Sequence, residues 1–327
     1  MQECCGWCGW LKAVCTKQSN RLMDTTLGTD NKRPKAVTLI EVLVALALVV
    51  MIWAIMLPIL IKTRRDAFAV RTMNNQRQIV VGVNCFALDH NGDYPKSVAT
   101  IGRINEHWSW QEPTMLTSSG GRSPLLHHRS MAAYLRRYIE DAGIMFCPNA
   151  PKKYKYLQQA WDAGDKWDNP DTLASEDAVI GTYCFYWNYT GFLDELGVPF
   201  TGPQSPAGGL GQSKLLVSDY FGYGHWRNGN VYANCNAYTS CERFKGASVT
   251  PGTSVSSDFW SCPAENAGDG LDAMSIKLHA GYTDGHVETF TPSQTIPMRV
   301  SITADGSVPY PSGIGPGIIY LPKDALR

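Results

Sequence analysis

Residues 42–61 read VLVALALVVMIWAIMLPILI, a run of 20 residues without a charged or polar side chain. As an α-helix this run is about 30 Å long, which matches the hydrocarbon core of a bilayer. A helix in a soluble core normally keeps a polar face, and this run has none. The next four residues, KTRR at 62–65, do not form the small-residue site at which a secretory signal is cleaved. The run therefore predicts a retained, single-pass membrane helix.

The composition argues against two classes of protein. The 327 residues include 29 basic and 29 acidic side chains, and this neutral balance argues against nucleic acid as a partner. Aromatic residues reach 11%, which is not typical of a disordered chain. The sequence contains no nucleophile elbow, phosphate loop, HExxH motif or dinucleotide fingerprint. We therefore predict no enzymatic activity and no cofactor.

A glutamate, Glu41, lies directly before the apolar run in the sequence AVTLIE at 36–41. A carboxylate inside a spanning helix is costly when it is buried in hydrocarbon. One interpretation places Glu41 at the headgroup boundary, where it marks the start of the helix. The other gives it a cationic partner. If the chain were cut between Ala36 and Val37, the new amino group could pair with Glu41 of a neighbouring helix and set the register between subunits.

The stretch KAVTLIEVLVALALVV at 35–50 resembles the prepilin signature of type IV pilins and type II secretion pseudopilins of the general secretion pathway G type. In that family a prepilin peptidase cuts after a small residue, usually Gly. The new first residue, usually Phe, is methylated, and Glu occupies the fifth mature position. The matching residues here are Ala36, Val37 and Glu41. Pro58 matches a proline that kinks the helix in many pilins, so a kink or a local loss of helix is expected there.

The resemblance implies the domain organisation and the location. Residues 1–36 would be a cytoplasmic leader that is removed, 37–61 the transmembrane helix, 62–93 a periplasmic stem helix and 94–327 a periplasmic globular body. The expected fold is α+β and pilin-like, with the stem helix packed on an antiparallel β-sheet that carries long loops. The protein would be a single-pass inner-membrane protein. Its expected partners are prepilin peptidase, like or related pilin subunits, the inner-membrane assembly platform and membrane lipid.

The leader has two features of its own. A start at Met23 would leave 14 residues before the cut, a common leader length in the family, so we expect the true start there. Residues 4–8 read CCGWC and Cys15 follows. Four cysteines with one CxxC spacing are compatible with a zinc cluster, but no second CxxC or histidine is nearby. We therefore favour no metal in this segment.

The stem carries a helical apolar stripe that is interrupted by Gln76 and is expected to pack on the sheet. Its members are Ala69, Met73, Val80, Val83 and Ala87. The helix is expected to stop at the sequence DHNGDYP, residues 89–95. Asp89, Asn91 and Asp93 have the spacing of a calcium loop but lack its later glutamate, so a capping turn is favoured over calcium.

The body resembles a subfamily of these proteins with several recurring short motifs. The matching stretches are Asn-Asn-x-x-Gln at 74–78, Tyr-Pro at 94–95, Cys-Pro at 147–148, a Tyr- and Trp-rich strand at 183–189 and Asp-Gly-His-Val at 284–287. A short strand at 214–217 is expected beside the C-terminal hairpin.

The C-terminal hairpin is predicted from strands at 275–282 and 286–290, joined by a two-residue type I′ turn at Asp284 and Gly285. This turn pairs Tyr282 with Val287. Alternation then places one set of side chains in the core: Leu278, Ala280, Tyr282 and Val287. The opposite face carries His279, His286 and Glu288, which suit either a metal site or, as we favour, a solvated face.

Residues 200–270 are rich in Gly, Pro, Ser and Asn and are predicted to form long surface loops, which one disulfide, such as Cys235–Cys241, would staple. Six body cysteines suit an oxidising compartment with up to three disulfides. Scattered tryptophans form either a glycan-binding face or, more commonly, core packing. The leading hypothesis is a pseudopilin-like filament subunit. The alternative is a membrane-anchored periplasmic binding module, for a ligand such as a glycan, that does not polymerise.

Overall fold

The computed structural model describes residues 37–101, 108–109, 112–117, 130–151, 157–164, 179–193, 196–223, 237–243, 246, 260–262, 271, 274–300 and 317–326. The expected leader lies outside these residues, together with Ala36 and the CCGWC cysteines.

The described part of the chain is α+β, with a long N-terminal helix and antiparallel sheets. The helices are α1 (Leu39–Asp89), α2 (Met131–Leu135) and α3 (Leu157–Asp162), with 3-10 turns at Ala142–Met145, Pro292–Gln294 and Lys323–Leu326. The first strands are β1 (Thr100–Ile101), β2 (Trp108–Ser109), β3 (Tyr183–Phe185), β4 (Thr190–Leu193), β5 (Val198–Thr201), β6 (Leu215–Asp219) and β7 (Phe221–Tyr223). The later strands are β8 (Ala237–Thr239), β9 (Trp260–Cys262), β10 (Leu278–Tyr282), β11 (Val287–Phe290), β12 (Thr295–Val300) and β13 (Gly317–Pro322).

The chain divides into two compact units, Met1–Pro58 and Ile59–Arg327. In the first unit, the described residues form the beginning of α1. Helix α1 is continuous through Pro58, so the local loss of helix expected there does not occur. The proline ring still removes one backbone donor from the helix ladder.

The second unit contains the sheets, all with antiparallel pairing. Two are four-stranded, in the orders β11-β10-β6-β3 and β13-β12-β4-β5, while β7-β8-β9 form a three-stranded sheet and β1-β2 a two-stranded one. The strand predicted at 214–217 is confirmed as β6, which pairs with β10 of the hairpin. The prediction of long loops in the rest of 200–270 was wrong in part, because β7, β8 and β9 also lie there.

Helix α1 packs on the body along a stripe that begins at Thr72. The buried residues of α1 are Thr72, Gln76, Ile79, Val80, Gly82, Val83, Phe86 and Ala87. The predicted stripe is thus confirmed at Val80, Val83 and Ala87, whereas Ala69 and Met73 are only half-buried. The contact is close, because a Cβ added at Gly281 of β10 would lie 3.0 Å from side-chain atoms of both Val80 and Val217. The helix therefore rests directly on strand β10.

The end of α1 is confirmed at Asp89. Asn91 and Gly92 adopt left-handed backbone angles, with φ of 57° and 89°. The Gly92 amide donates to the Ala87 carbonyl over 2.8 Å, which satisfies one carbonyl of the last helical turn. The Asp89 carboxylate accepts a hydrogen bond from the Tyr138 hydroxyl over 2.7 Å. This segment is therefore a helix-terminating turn, the interpretation favoured over a calcium loop.

The hairpin exists, but its predicted register was wrong by one residue. In the structure Gly281 pairs with Val287 and Ala280 with Glu288. The Tyr282 amide donates to the His286 carbonyl and the Gly285 amide to the Tyr282 carbonyl, which leaves a three-residue loop at 283–285. Gly285 has φ of 92°, whereas Asp284 has no positive φ. A type I′ turn needs positive φ at both central residues, so the three-residue turn with its left-handed glycine forms instead.

The predicted disulfide between Cys235 and Cys241 was also wrong, because Cys241 is a free thiol. Cys85, Cys147 and Cys184 are free as well, so at most one disulfide remains for the six body cysteines. Of the scattered tryptophans, Trp161 and Trp187 are buried core residues. These two therefore do not form an exposed glycan-binding face.

Candidate functional site

The first candidate site is the exposed apolar surface of α1. Between residues 42 and 61 its large apolar side chains keep 45–67% of their surface exposed. Within the described residues, α1 is the one helix long and apolar enough to cross a membrane, with a mean hydropathy of 2.9 in its most apolar window. Exposing so much apolar surface to water is unfavourable, so lipid or other helices must cover it. The chain is thus compatible with a single-pass membrane protein.

The helix begins with a capping box formed by Thr38 and Glu41. The Thr38 amide donates to Glu41 Oε2 over 2.8 Å, and the Thr38 hydroxyl donates to the same oxygen over 3.0 Å. In return, the Glu41 amide donates to Thr38 Oγ1 over 3.3 Å. This reciprocal arrangement satisfies free backbone donors at a helix start. The structure therefore gives Glu41 a role within its own chain, as the marker of the helix start.

The capping box leaves part of the Glu41 carboxylate available. Both bonds from Thr38 end on Oε2, and within the described residues Oε1 accepts no hydrogen bond. Val37 precedes the helix and is 71% exposed. The expected processing point thus adjoins an exposed, non-helical residue, the kind of backbone that proteases cut.

Replacing Thr38 with Ala should fray the first turn of α1 by removing one half of the capping box. Loss of an N-cap side chain costs about 1 kcal/mol, which corresponds to about a fivefold increase in the equilibrium constant for local opening of the first turn. Hydrogen exchange of the protein in detergent micelles should therefore show faster exchange at the Glu41 amide. Thr38→Ser keeps the hydroxyl and is the control. Equal exchange in the wild type and Thr38→Ala would contradict the capping role.

The second candidate site is a buried polar network, formed by Gln76, Asp219 and His279, that connects α1 to the sheet β11-β10-β6-β3. Asp219 Oδ2 lies 2.7 Å from the His279 amide nitrogen, which donates to it, and 2.7 Å from His279 Nδ1. Gln76 Nε2 donates to Asp219 Oδ1 over 3.1 Å and to the His279 carbonyl over 3.2 Å. Asp219 is 0% and His279 3% exposed. A buried carboxylate needs such partners, so the network positions the helix on β6 and β10.

Sequence reasoning missed this network. The sequence pattern presents Gln76 as an interruption of an apolar stripe and predicts a solvated face for His279. The available signal was the position of Gln76 among residues that are otherwise buried. A polar side chain at such a position requires a buried hydrogen-bonding partner on the surface it faces.

The predicted grouping of His279, His286 and Glu288 was wrong. In the observed register Glu288 pairs with Ala280, so Glu288 lies on the opposite face of the sheet from His279. Exposed His286 stacks on Tyr282, and its Nδ1 lies 2.5 Å from Asp284 Oδ1. Glu288 accepts a hydrogen bond from the Tyr282 hydroxyl. In the part of the chain that the structure describes, no three His, Cys, Asp or Glu residues are arranged to hold a metal ion.

The buried network also has a thiol nearby, at Cys147. Its Sγ lies 3.6 Å from Thr72 Oγ1. Burial raises the pKa of the Cys147 thiol to about 12, so this side chain is protonated at neutral pH and is not a thiolate nucleophile. With Asp219 and His279 closed to solvent, the arrangement supports the packing of α1 on the sheet.

Comparison with known proteins adds no assignment to this geometry: no family model, no curated protein and no solved structure matches the chain.

Proposed function

We propose that this chain is a pseudopilin-like structural subunit of a type II secretion or type IV pilus-like filament, assembled through helix α1. The observation that carries the proposal is the exposed, uncharged surface of α1 at 42–61 together with the Thr38–Glu41 capping box that starts the helix. In the membrane this surface contacts lipid. In a filament it packs against the same helix of neighbouring subunits, so one apolar surface serves both states.

Processing between Ala36 and Val37 links the stored and assembled states. Prepilin peptidase would remove the leader and create an amino group at Val37. Because Thr38 occupies Oε2 of Glu41, Oε1 remains for the Val37 amine of a neighbouring subunit. This ion pair would neutralise both charges in an apolar surrounding and set the stagger between subunits. The inner-membrane assembly platform would supply the site at which subunits join.

The α+β body supports the same proposal. Its arrangement of a stem helix buried from Thr72 onwards against an antiparallel sheet is the arrangement expected of a pilin-like fold. The network of Gln76, Asp219 and His279 holds the stem in one rotation about its axis.

The test is the mass of the mature protein. Mass spectrometry of membrane-extracted protein should show an N-terminus at Val37 that carries a methyl group. In Ala36→Leu a large residue occupies the position before the cut, and we expect the leader to be retained. The matched control is Ala36→Gly, which should be processed as the wild type is. A wild-type protein that keeps Met1 or Met23 as its N-terminus would count against the proposal.

A further inference from the structure

Three basic residues follow the apolar run directly: Lys62, Arg64 and Arg65, which we call the basic collar. All three are exposed on α1. None of the described carboxylates forms an ion pair with them. The Arg64 guanidinium lies over the Phe68 ring, 5.5 Å from its centroid. The Arg64 guanidinium donates no hydrogen bond to the described residues, so its N–H groups are available to an anion.

The position of the collar along α1 matches the headgroup layer of a membrane. At a rise of about 1.5 Å per residue, Arg65 lies about 6 Å beyond Ile61, the last residue of the apolar run. The headgroup layer on each side of a bilayer is about 5–8 Å thick. The first buried residue of the stem, Thr72, lies about 16 Å beyond Ile61. The body therefore does not cover the collar.

Membrane topology does not explain these cations. If the leader is removed as proposed above, residues 37–41 hold no Lys or Arg. Positive residues normally accumulate on the cytoplasmic side of a spanning helix, whereas the collar would lie on the periplasmic side. A cluster of three cations within four residues that does not direct insertion requires another physical explanation. Anionic lipid phosphates at the same depth supply one, because Arg and Lys side chains form charge-assisted hydrogen bonds with phosphate oxygens.

We propose that the basic collar of Lys62, Arg64 and Arg65 binds the phosphate groups of anionic phospholipids at the membrane surface. The planar guanidinium groups of Arg64 and Arg65 match two phosphate oxygens at once, and the Lys62 ammonium adds a point charge. This inference rests on the membrane helix, the leader removal and the periplasmic orientation of the proposed function, and it requires no polymerisation. It deepens that function, because the subunit would have to exchange these lipids for neighbouring chains when it leaves the membrane.

The experiment uses the full chain in nanodiscs of equal parts phosphatidylglycerol and phosphatidylcholine. After gentle extraction in detergent, native mass spectrometry counts the lipids that each protein molecule retains. The wild type should retain phosphatidylglycerol over phosphatidylcholine by about fivefold or more. Lys62→Gln/Arg64→Gln/Arg65→Gln should lose this preference. The control is Arg71→Gln/Arg77→Gln/Lys96→Gln, which removes three exposed charges beyond the headgroup layer and should keep the preference.

A second measurement does not depend on variants. Extraction of the wild type in about 1 M salt should weaken the preference, since salt screens exposed charges. A collar variant that retains phosphatidylglycerol like the wild type would overturn the proposal. An equal loss of the phosphatidylglycerol preference in the control variant would also overturn it. A collar variant that keeps its lipids but no longer joins filaments would overturn it as well, because the collar would then bind an acidic surface of a neighbouring subunit. The N-terminal mass is measured separately, so failure of the filament proposal is distinguishable from failure of lipid binding.

Discussion

Replacing Glu41 with Ala should leave the subunit in the membrane but reduce its incorporation into filaments to background. The substitution removes the carboxylate whose Oε1, which accepts no hydrogen bond from the described residues, would pair with the Val37 amine of the neighbouring chain. That amine would then be buried among apolar helices without a counter-ion, which disfavours assembly. Membrane insertion depends on residues 42–61, which the substitution does not change. Immunoblots of sheared filaments and of membrane fractions measure the two outcomes.

Glu41→Gln separates the two roles of this side chain. A glutamine can still accept the hydrogen bond from the Thr38 amide and so keeps the capping box, but it carries no charge. If the ion pair drives assembly, Glu41→Gln should not be incorporated into filaments, just as we expect for Glu41→Ala. Thr38→Ala is the converse control, because it weakens the cap and keeps the charge. Normal incorporation of Glu41→Gln would exclude the ion-pair mechanism and leave Glu41 only its role at the helix start.

Replacing Asp219 with Ala should destabilise the body by about 3 kcal/mol or more. The buried carboxylate accepts hydrogen bonds from the His279 backbone amide and from Gln76 Nε2, and it contacts His279 Nδ1. Its removal leaves several buried donors without an acceptor, at about 1–3 kcal/mol for each. Denaturant unfolding of the full chain in detergent, followed by tryptophan fluorescence, measures the change in the free energy of unfolding.

The matched control is Asp284→Ala. Asp284 also contacts a histidine ring, that of His286, but both side chains are more than half exposed. Water replaces the lost partner there, so we expect the free energy of unfolding to change by no more than about 0.5 kcal/mol. Similar decreases in the free energy of unfolding in Asp219→Ala and Asp284→Ala would show that the network around Asp219 does not hold α1 on the sheet. A body that unfolds normally but exchanges amide protons faster in α1 alone would indicate that the network acts on the helix and not on the sheet.

The features of the fold that were predicted correctly depend on local physics. The length and apolarity of residues 42–61 predicted a long apolar helix, long enough to span a membrane, without knowledge of any contact. The end of α1 at Asp89 followed from Asn91 and Gly92, whose left-handed backbone angles are local preferences. Strand β6 was found from a short apolar run that ends at polar residues. In each case the signal lies within a few residues of the feature.

The hairpin register and the buried network were not predictable in that way. An Asp-Gly pair suits both a two-residue and a three-residue turn, and a one-residue change moves every side chain of one strand to the other face. In the folded chain His279 meets Asp219, and Gly281 allows the close approach of Val80. These contacts join residues that are far apart in sequence and agree with the observed register.

The amino-acid order alone thus predicted the long apolar helix, its start near Glu41 and the end of the stem, because hydrophobic length, capping and turn preferences act over short distances. The rotation of α1 on the body, the pairing of Asp219 with His279 and the free state of Cys241 arise only when distant segments pack together. A buried polar group is acceptable only beside its partner, and the partner of Gln76 is 143 positions away along the chain.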